Sequence, residues 1–424
     1  MNIQAANRPS AAEAALVEAY TAQLGDLPGD GAVLGARDVL FDELKRAGLP
    51  TRRVEAWHYT DLKTLLRAIP EAETVTPSKA IAPLVETARV LELRQGVSRD
   101  VSALQGVTIK AYGESLKDGT AAADLLAFSK DDAIGRINGS FVRDGYRLSV
   151  ADNAALDRII ELQAHQGGGQ SHGRFIATFG AASKATVVER HRNSGKTAGL
   201  ISSVSDLTLA DGAEVTWVIV QEQGPADTHL GQIKVVLGAD AKLRLFIINA
   251  GGKLVRQEIH VRTAGEGSDF TLRGVNLLGG ETHTDVTMTL GHDVPNTTST
   301  EVIRNVVFDR ARGVFQGQIR VAPDAQKTDA RMACNTLLMS DEAEFSVKPE
   351  LEIFADDVQC AHGATVADID HTHLYYLMAR GIPQKPARGL LIQAFVAELV
   401  EELEDEALVV ALEGVISNWL EAHG

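Results

Sequence analysis

Cysteine is nearly absent from this chain, which has only Cys334 and Cys360 among its 424 residues. Two thiols cannot build a disulfide framework, and their scarcity fits a reducing compartment. Grouped positive charge is missing as well. The formal net charge is −16, with no basic stripe interleaved with aromatics, which argues against nucleic acid as a partner because phosphate contacts need clustered Lys and Arg. No apolar run approaches the roughly 18 residues of a membrane span, so no membrane role is expected. The first ten residues are polar and lack the apolar stretch of a secretory leader, so the expected location is cytoplasmic. The chain also lacks a G-x-x-x-x-G-K-[ST] loop, an H-E-x-x-H zinc motif and a C-x-x-C pair. Nucleotide binding by a P-loop and zinc-protease chemistry therefore have no support.

What is present is an ordinary globular balance, 45% hydrophobic and 23% charged, with 38 glycines and only 5% aromatics. That composition permits a sizeable core and points to many tight turns. Residues 1–85 read as an N-terminal helical region. The run from Ala11 to Tyr20 is rich in good helix formers, and a second helix from Gly35 to Lys45 stops at Gly48 and Pro50.

The stretch 86–366 reads as the core. From about residue 150 apolar and polar residues alternate, as in Leu207-Thr208-Leu209, Ile233-Lys234-Val235 and Leu243-Arg244-Leu245, while Val218-Ile219-Val220 is wholly apolar. These are short strands. A triplet of small, variable and large apolar residue recurs at Ala154-Ala155-Leu156, Ala185-Thr186-Val187, Ala213-Glu214-Val215, Ala241-Lys242-Leu243 and Ser268-Asp269-Phe270, with spacings of 31, 28, 28 and 27 residues. A near-constant period of this size predicts a solenoid with two strands per coil, because one coil cannot bury its apolar face alone. The expected fold class is mainly β: a parallel β-helix core flanked by helical regions. A β-sandwich is the competing all-β reading. Gly167-Gly168-Gly169 reads as a flexible connector.

Residues 367–424 turn helical again. Leu391, Phe395, Leu399 and Leu403 fall four apart and make an apolar stripe beside an acidic remainder. Packing of that stripe on the end of the solenoid and docking of a partner protein are both open from the pattern alone.

Chemistry concentrates in one place. In Gln359-Cys360-Ala361-His362-Gly363, an extended backbone sends Cys360 and His362 to the same face. A thiolate beside an imidazole suits a soft or borderline metal. Two ligands do not complete a site, so the remainder would come from another chain. A packed cysteine next to a surface histidine is the plainer alternative. Cys334 reads as a core residue. His371 and His373 stand where a helix begins, which favours capping or exposure, and Asp356-Asp357 reads as an exposed acidic pair.

Several segments resemble the SufB/SufD family, in order along the chain: Glu55-Ala56-Trp57-His58-Tyr59-Thr60, His292-Asp293-Val294-Pro295-Asn296-Thr297, Phe315-Gln316-Gly317-Gln318-Ile319, Lys348-Pro349-Glu350-Leu351, Cys360-Ala361-His362-Gly363-Ala364-Thr365 and Tyr376-Leu377-Met378-Ala379-Arg380-Gly381. They span about residues 50 to 400. SufB proteins are similar in the core but longer and richer in cysteine, so the resemblance favours the SufD branch. The resemblance implies a right-handed parallel β-helix and a non-enzymatic scaffold role in iron–sulfur cluster assembly. It implies SufB and the ABC-type ATPase SufC as partners, a homodimer when isolated, and an iron or iron–sulfur cluster held transiently in the complex rather than by the lone chain. The family's cluster-assembly histidine corresponds to His362, with Cys360 at the neighbouring position. The sequence has Ala361 where the family often has Ser. A docking role for the C-terminal helices toward the ATPase follows from the same resemblance. A β-helix enzyme such as a polysaccharide lyase is the competing class, disfavoured by the missing leader.

Overall fold

The computed structural model describes residues 9–71, 80–99, 103–195 and 197–423. The polar segment 1–8, on which the leader argument rested, lies outside them. Helix α1 (Ala11–Gln23) starts at Ser10, whose hydroxyl accepts from the Glu13 backbone N–H while Glu13 caps back, a capping box. Helix α2 (Gly31–Ala47) starts at Asp30 and stops at Gly48, which takes φ +70°, a conformation only glycine adopts freely. A short helix α3 (Leu62–Leu65) follows.

From Arg89 to Ala367 the chain winds into a parallel β-solenoid of about eight turns. Successive long strands alternate between two sheets, of ten and nine strands among the described residues, so each coil contributes one strand to each sheet. Neighbouring coils are in register: Leu243 pairs with Val215 on one side and Phe270 on the other, and the column continues through Ser299, Ala330 and Cys360. Inward side chains such as Trp217, Leu245 and Phe270 of one sheet meet Ile233, Ile259 and Phe315 of the other in a continuous core.

The repeat read from the sequence marks one corner of each coil. Just before the small residue, the chain takes positive φ at Asn153, Ala182, Gly212, Asp240, Gly267, Asn296 and Lys327. The second repeat is corrected by this register. Its small residue is Ser183, fully buried and following Ala182, and not Ala185, which sits two places further on as the inward residue. Two more coils continue the series at Thr297 and Thr328. The Gly167–Gly169 segment is likewise a corner and not a loose connector. A Cβ on Gly168, which takes φ +111°, would fall 1.9 Å from Thr197 Oγ1 of the next coil.

Helical structure also falls inside the 86–366 stretch. Helices α4 (Tyr112–Lys117) and α5 (Ala133–Phe141) interrupt the early coils. Helix α5 is buried along its whole length between the N-terminal helices and the outer face of the nine-stranded sheet, through Ile134, Ile137 and Phe141. Two glycines and an asparagine in its nine residues hide it from a propensity reading. The N-terminal end of the solenoid is finished by short antiparallel strands, Val97–Ser98 on one sheet and Val107–Ala111 on the other.

After the last coil come α6 (His371–Ala379), α7 (Gln384–Val400) and α8 (Glu406–His423). The stripe lies on the flank of the solenoid and not on its end. Leu399 and Leu403 are buried, and Leu391 and Phe395 half-buried, against the outward side chains Val218, Phe246, Val275 and Val306 of the ten-stranded sheet and against α8. This explains why Val218-Ile219-Val220 is apolar on both faces. Ion pairs from Arg273 to Glu402 (2.7 Å) and from Arg304 to Glu398 (2.6 Å) fix the same docking. Among the described residues, no helix is long and apolar enough to cross a membrane.

Candidate functional site

The C-terminal end of the solenoid is open. Among the described residues, strand Gln359–Ala367 pairs only with Asp329–Leu338, and Glu344–Ile353 only with Arg312–Val321, so each sheet ends in a strand with one free edge. Pro349 sits mid-strand in Glu344–Ile353, a position tolerated at an edge because proline donates no ladder hydrogen bond. Charged Lys348, Glu350 and Glu352 flank it. Strand Gln359–Ala367 carries neither proline nor charge except through His362, and so lacks the usual devices that keep an edge from pairing.

Both candidate ligands stand on this strand. Cys360 is half-buried and packs against the core. Burial raises its thiol above the ordinary value, offset in part by the Ala330 backbone hydrogen bond. His362 is exposed. It heads an inward column in which Met332 lies one coil below and Glu301 two coils below, at a strand spacing of ~4.8 Å per step. The strand geometry thus places Cys360 and His362 on one face, as the spacing predicts. Across the opening, Val347 and Leu351 of the other edge strand are half-buried inward residues, and Ile353 and Phe354 beside them are exposed. Among the described residues no group of three His, Cys, Asp or Glu side chains is arranged to hold a metal ion.

Glu301 is a residue the sequence reading missed. It has no exposure, and no hydrogen bond of good geometry reaches either carboxyl oxygen. Burial pushes its pKa up to about 8, which Ser299 and Arg273 offset only in part. Cys334 lies in the core near it, 2% exposed, its thiol pushed up to about 12 by burial.

The remaining candidates have structural roles. Asp370 caps α6, accepting from the backbone of Thr372 and His373, while His371 and His373 are exposed. Asp357 pairs with Lys327 across the last corner. One further spacing, Gly169-Gln170-Ser171-His172-Gly173, has the G-x-S-x-G form of a hydrolase elbow. It lies within the strand Gly169–Phe179 with Ser171 and His172 buried, so the strand-to-helix turn that such a nucleophile needs does not exist here.

The Glu55–Thr60 segment anchors the N-terminal helices to the solenoid. Trp57 covers Arg256, which bonds Asp285 at 2.5 Å and Glu258 at 3.0 Å, and Thr60 donates to Asp285. Burial would raise the Glu258 carboxyl, but Arg256 holds it down at about 2. Glu55 reaches Lys348 on the open-end strand.

In the C-terminal helices the exposed apolar residues are not those of the stripe. They are Tyr375, Tyr376 and Met378 on α6, Leu390 on α7 and Val410 on α8. A cleft of about 830 Å³ lies between α7, α8 and the solenoid, lined by Phe308, Met339, Arg388, Ile392, Leu420 and His423 among others.

Comparison with known proteins matches residues 162–395 to the family model described as the SUF system FeS cluster assembly SufBD core domain. The chain is 30% identical to the iron–sulfur cluster assembly protein SufD of Escherichia coli over 379 residues, 87% of this chain and 88% of that one. It is 30% identical to a SufBD family iron–sulfur cluster assembly protein of Synechocystis over 200 residues, 47% and 44% of the two chains. It is also 30% identical to the chloroplastic protein ABCI7 of Arabidopsis thaliana over 210 residues, 48% and 44%.

Proposed function

We propose, from the premise that this chain belongs to the SufB/SufD family of the SUF iron–sulfur cluster assembly system, that its open solenoid end is one wall of a shared assembly site. The two free edge strands accept a sister solenoid of the SufB type by strand addition, which satisfies their unpaired backbone groups. His362 then faces the seam and serves as a ligand for iron or a nascent cluster, with thiolates supplied by the sister chain. Neutral imidazole suits iron, and cluster sites combine cysteine with histidine. The observation that carries this reading is the unprotected edge strand with an exposed imidazole on its inward face. Helices α6 to α8, packed on the solenoid flank, dock the ABC-type ATPase SufC through exposed residues such as Tyr375 and Tyr376. Hydrolysis by that partner opens or forms the seam, and this chain acts as scaffold and not as catalyst.

A purely architectural reading gains support from Cys360, whose thiol packs into the core and resists ionisation. The test is His362→Ala in a strain that depends on this system under iron limitation. Loss of iron–sulfur enzyme activity with the SufB complex still intact supports the ligand role. Unchanged activity overturns it in favour of architecture.

A further inference from the structure

Away from the open end, the lumen of the solenoid holds polar side chains that the role above does not use. Glu189, His191, Gln221, His229, Asn249 and Gln257 come from neighbouring coils and sit at inward positions of their strands, none more than 2% exposed. Glu189 is fully engaged. Its carboxylate accepts from Ser205 (2.7 Å), from Trp217 Nε1 (3.1 Å) and from His191 Nε2 (2.7 Å). A carboxylate has only acceptors, so His191 Nε2 donates this bond.

The others are not satisfied. His191 Nδ1, both ring nitrogens of His229, both amide atoms of Gln221, Asn249 Oδ1 and Gln257 Oε1 have no protein partner. The two imidazoles lie 4.8 Å apart. Gly231 lets both His229 and Gln257 pack against its backbone: a Cβ there would fall 2.9 Å from His229 Nε2 and 2.3 Å from Gln257 Oε1. Buried polar atoms of native proteins are almost always hydrogen-bonded, to protein or to ordered water. Seven unpartnered atoms on five side chains therefore mark a place that something fills.

We propose that this stretch of the lumen is a closed water-binding chamber, in which ordered water molecules bridge His191, Gln221, His229, Asn249 and Gln257. The donor and acceptor mixture selects the guest. The amide oxygens need donors, whereas Gln221 Nε2 and one nitrogen of neutral His229 need acceptors. A cation satisfies only the first set. Water serves both, and a site with several such partners is where buried water is retained. The chamber also continues into a one-directional amide ladder. Asn249 Nδ2 donates to Asn276 (2.7 Å), Asn276 to Asn305 (2.7 Å) and Asn305 to Thr336 (2.9 Å), which carries the chain of hydrogen bonds to the coil beneath the open end. Asn249 Oδ1, the bare acceptor at the far end of that ladder, opens on the chamber.

A crystal structure that resolves ordered solvent tests this. Two or more lumen waters, each at ~2.7–3.2 Å from at least two of the named atoms, support it. A dry lumen with the amides paired to one another, or a metal revealed by anomalous scattering, overturns it. The unfolding midpoint of His229→Leu gives an independent sign. Removing a partner from a hydrated network lowers the midpoint by roughly 2–4 °C, whereas removing a truly unpaired polar group raises it and overturns the proposal. Should His229→Leu fail to fold, Gln257→Leu carries the same sign test.

Discussion

The indole of Trp57 lies 4.3 Å from the guanidinium of Arg256, and neither side chain is exposed to solvent. Arg256 is in turn the shared counter-ion of Asp285 and Glu258. This contact joins the N-terminal helices to the outer face of the nine-stranded sheet, and it gives the Glu55–Thr60 motif a physical role. Replacement of Arg256 by Met strands two buried carboxylates and is expected to cost about 3–5 kcal/mol. Trp57→Ala removes a large buried ring and its cation–π contact for a similar ~3–5 kcal/mol. Denaturant unfolding of both variants checks these values. Destabilisation of Trp57→Ala below 1 kcal/mol would contradict the anchoring role.

Glu301 sets a pH dependence of stability. Its folded-state pKa is about 8 against an ordinary 4.5, so between those values the unfolded chain holds fewer protons than the folded one. The stability it contributes is full below about pH 4.5 and is lost as pH rises toward 8. Glu301→Gln, which cannot ionise, is expected to flatten that fall. Melting curves of the two proteins from pH 5 to pH 8.5 make the comparison, and parallel slopes would disprove the assignment.

The two candidate ligands are expected to behave differently. His362→Ala lowers iron or cluster loading of the partner complex more than tenfold, on the order of one lost ligand. Cys360→Ala lowers it less than about twofold, because the thiol faces the core and burial keeps it protonated. Iron content and visible absorbance of the purified complex distinguish them.

A lysine at Val366 tests the edge. The residue is 42% exposed and lies at the rim of the opening, and a charge there protects a strand from pairing. Val366→Lys is expected to abolish co-purification with the SufB partner while leaving the circular dichroism and melting of the isolated chain unchanged. Normal recovery of the complex would exclude this edge as the seam.

Stripe and surface separate in the C-terminal helices. Leu399→Ala opens a cavity against the sheet and is expected to cost about 2–5 kcal/mol of stability. Tyr376→Ala, at an exposed position, leaves stability within about 0.5 kcal/mol and weakens ATPase docking. Pull-down and thermal melts on both variants read the two effects separately.

Much of this architecture was legible as pattern. Alternation marked the strands, and small residues at Ala213, Ala241 and Ser268 marked the corners. The series broke at Ala185 because that residue imitates the small corner residue two places before it. It was lost beyond Ser268 because Thr297 and Thr328 fill the same corner with a branched polar side chain. The C-terminal stripe showed one apolar helix face, but what covers it is the outer face of strands far earlier in the chain. Trp57 and Arg256, and likewise the lumen groups around His229, meet only because coils stack. Hydropathy period carries no information about such distant neighbours. His362 stands out as a candidate by its local spacing and family resemblance, whereas Glu301 reads as an outward polar residue until register turns it inward.

The antiparallel strands at the start of the solenoid have a consequence for the growth of any assembly. A rod raw at both ends would polymerise head to tail without limit. Val97–Ser98 and Val107–Ala111 run antiparallel to their neighbours and span only two and five residues, so the first end offers shorter edges than the last coil, and under the proposed pairing extension is expected to favour the last coil.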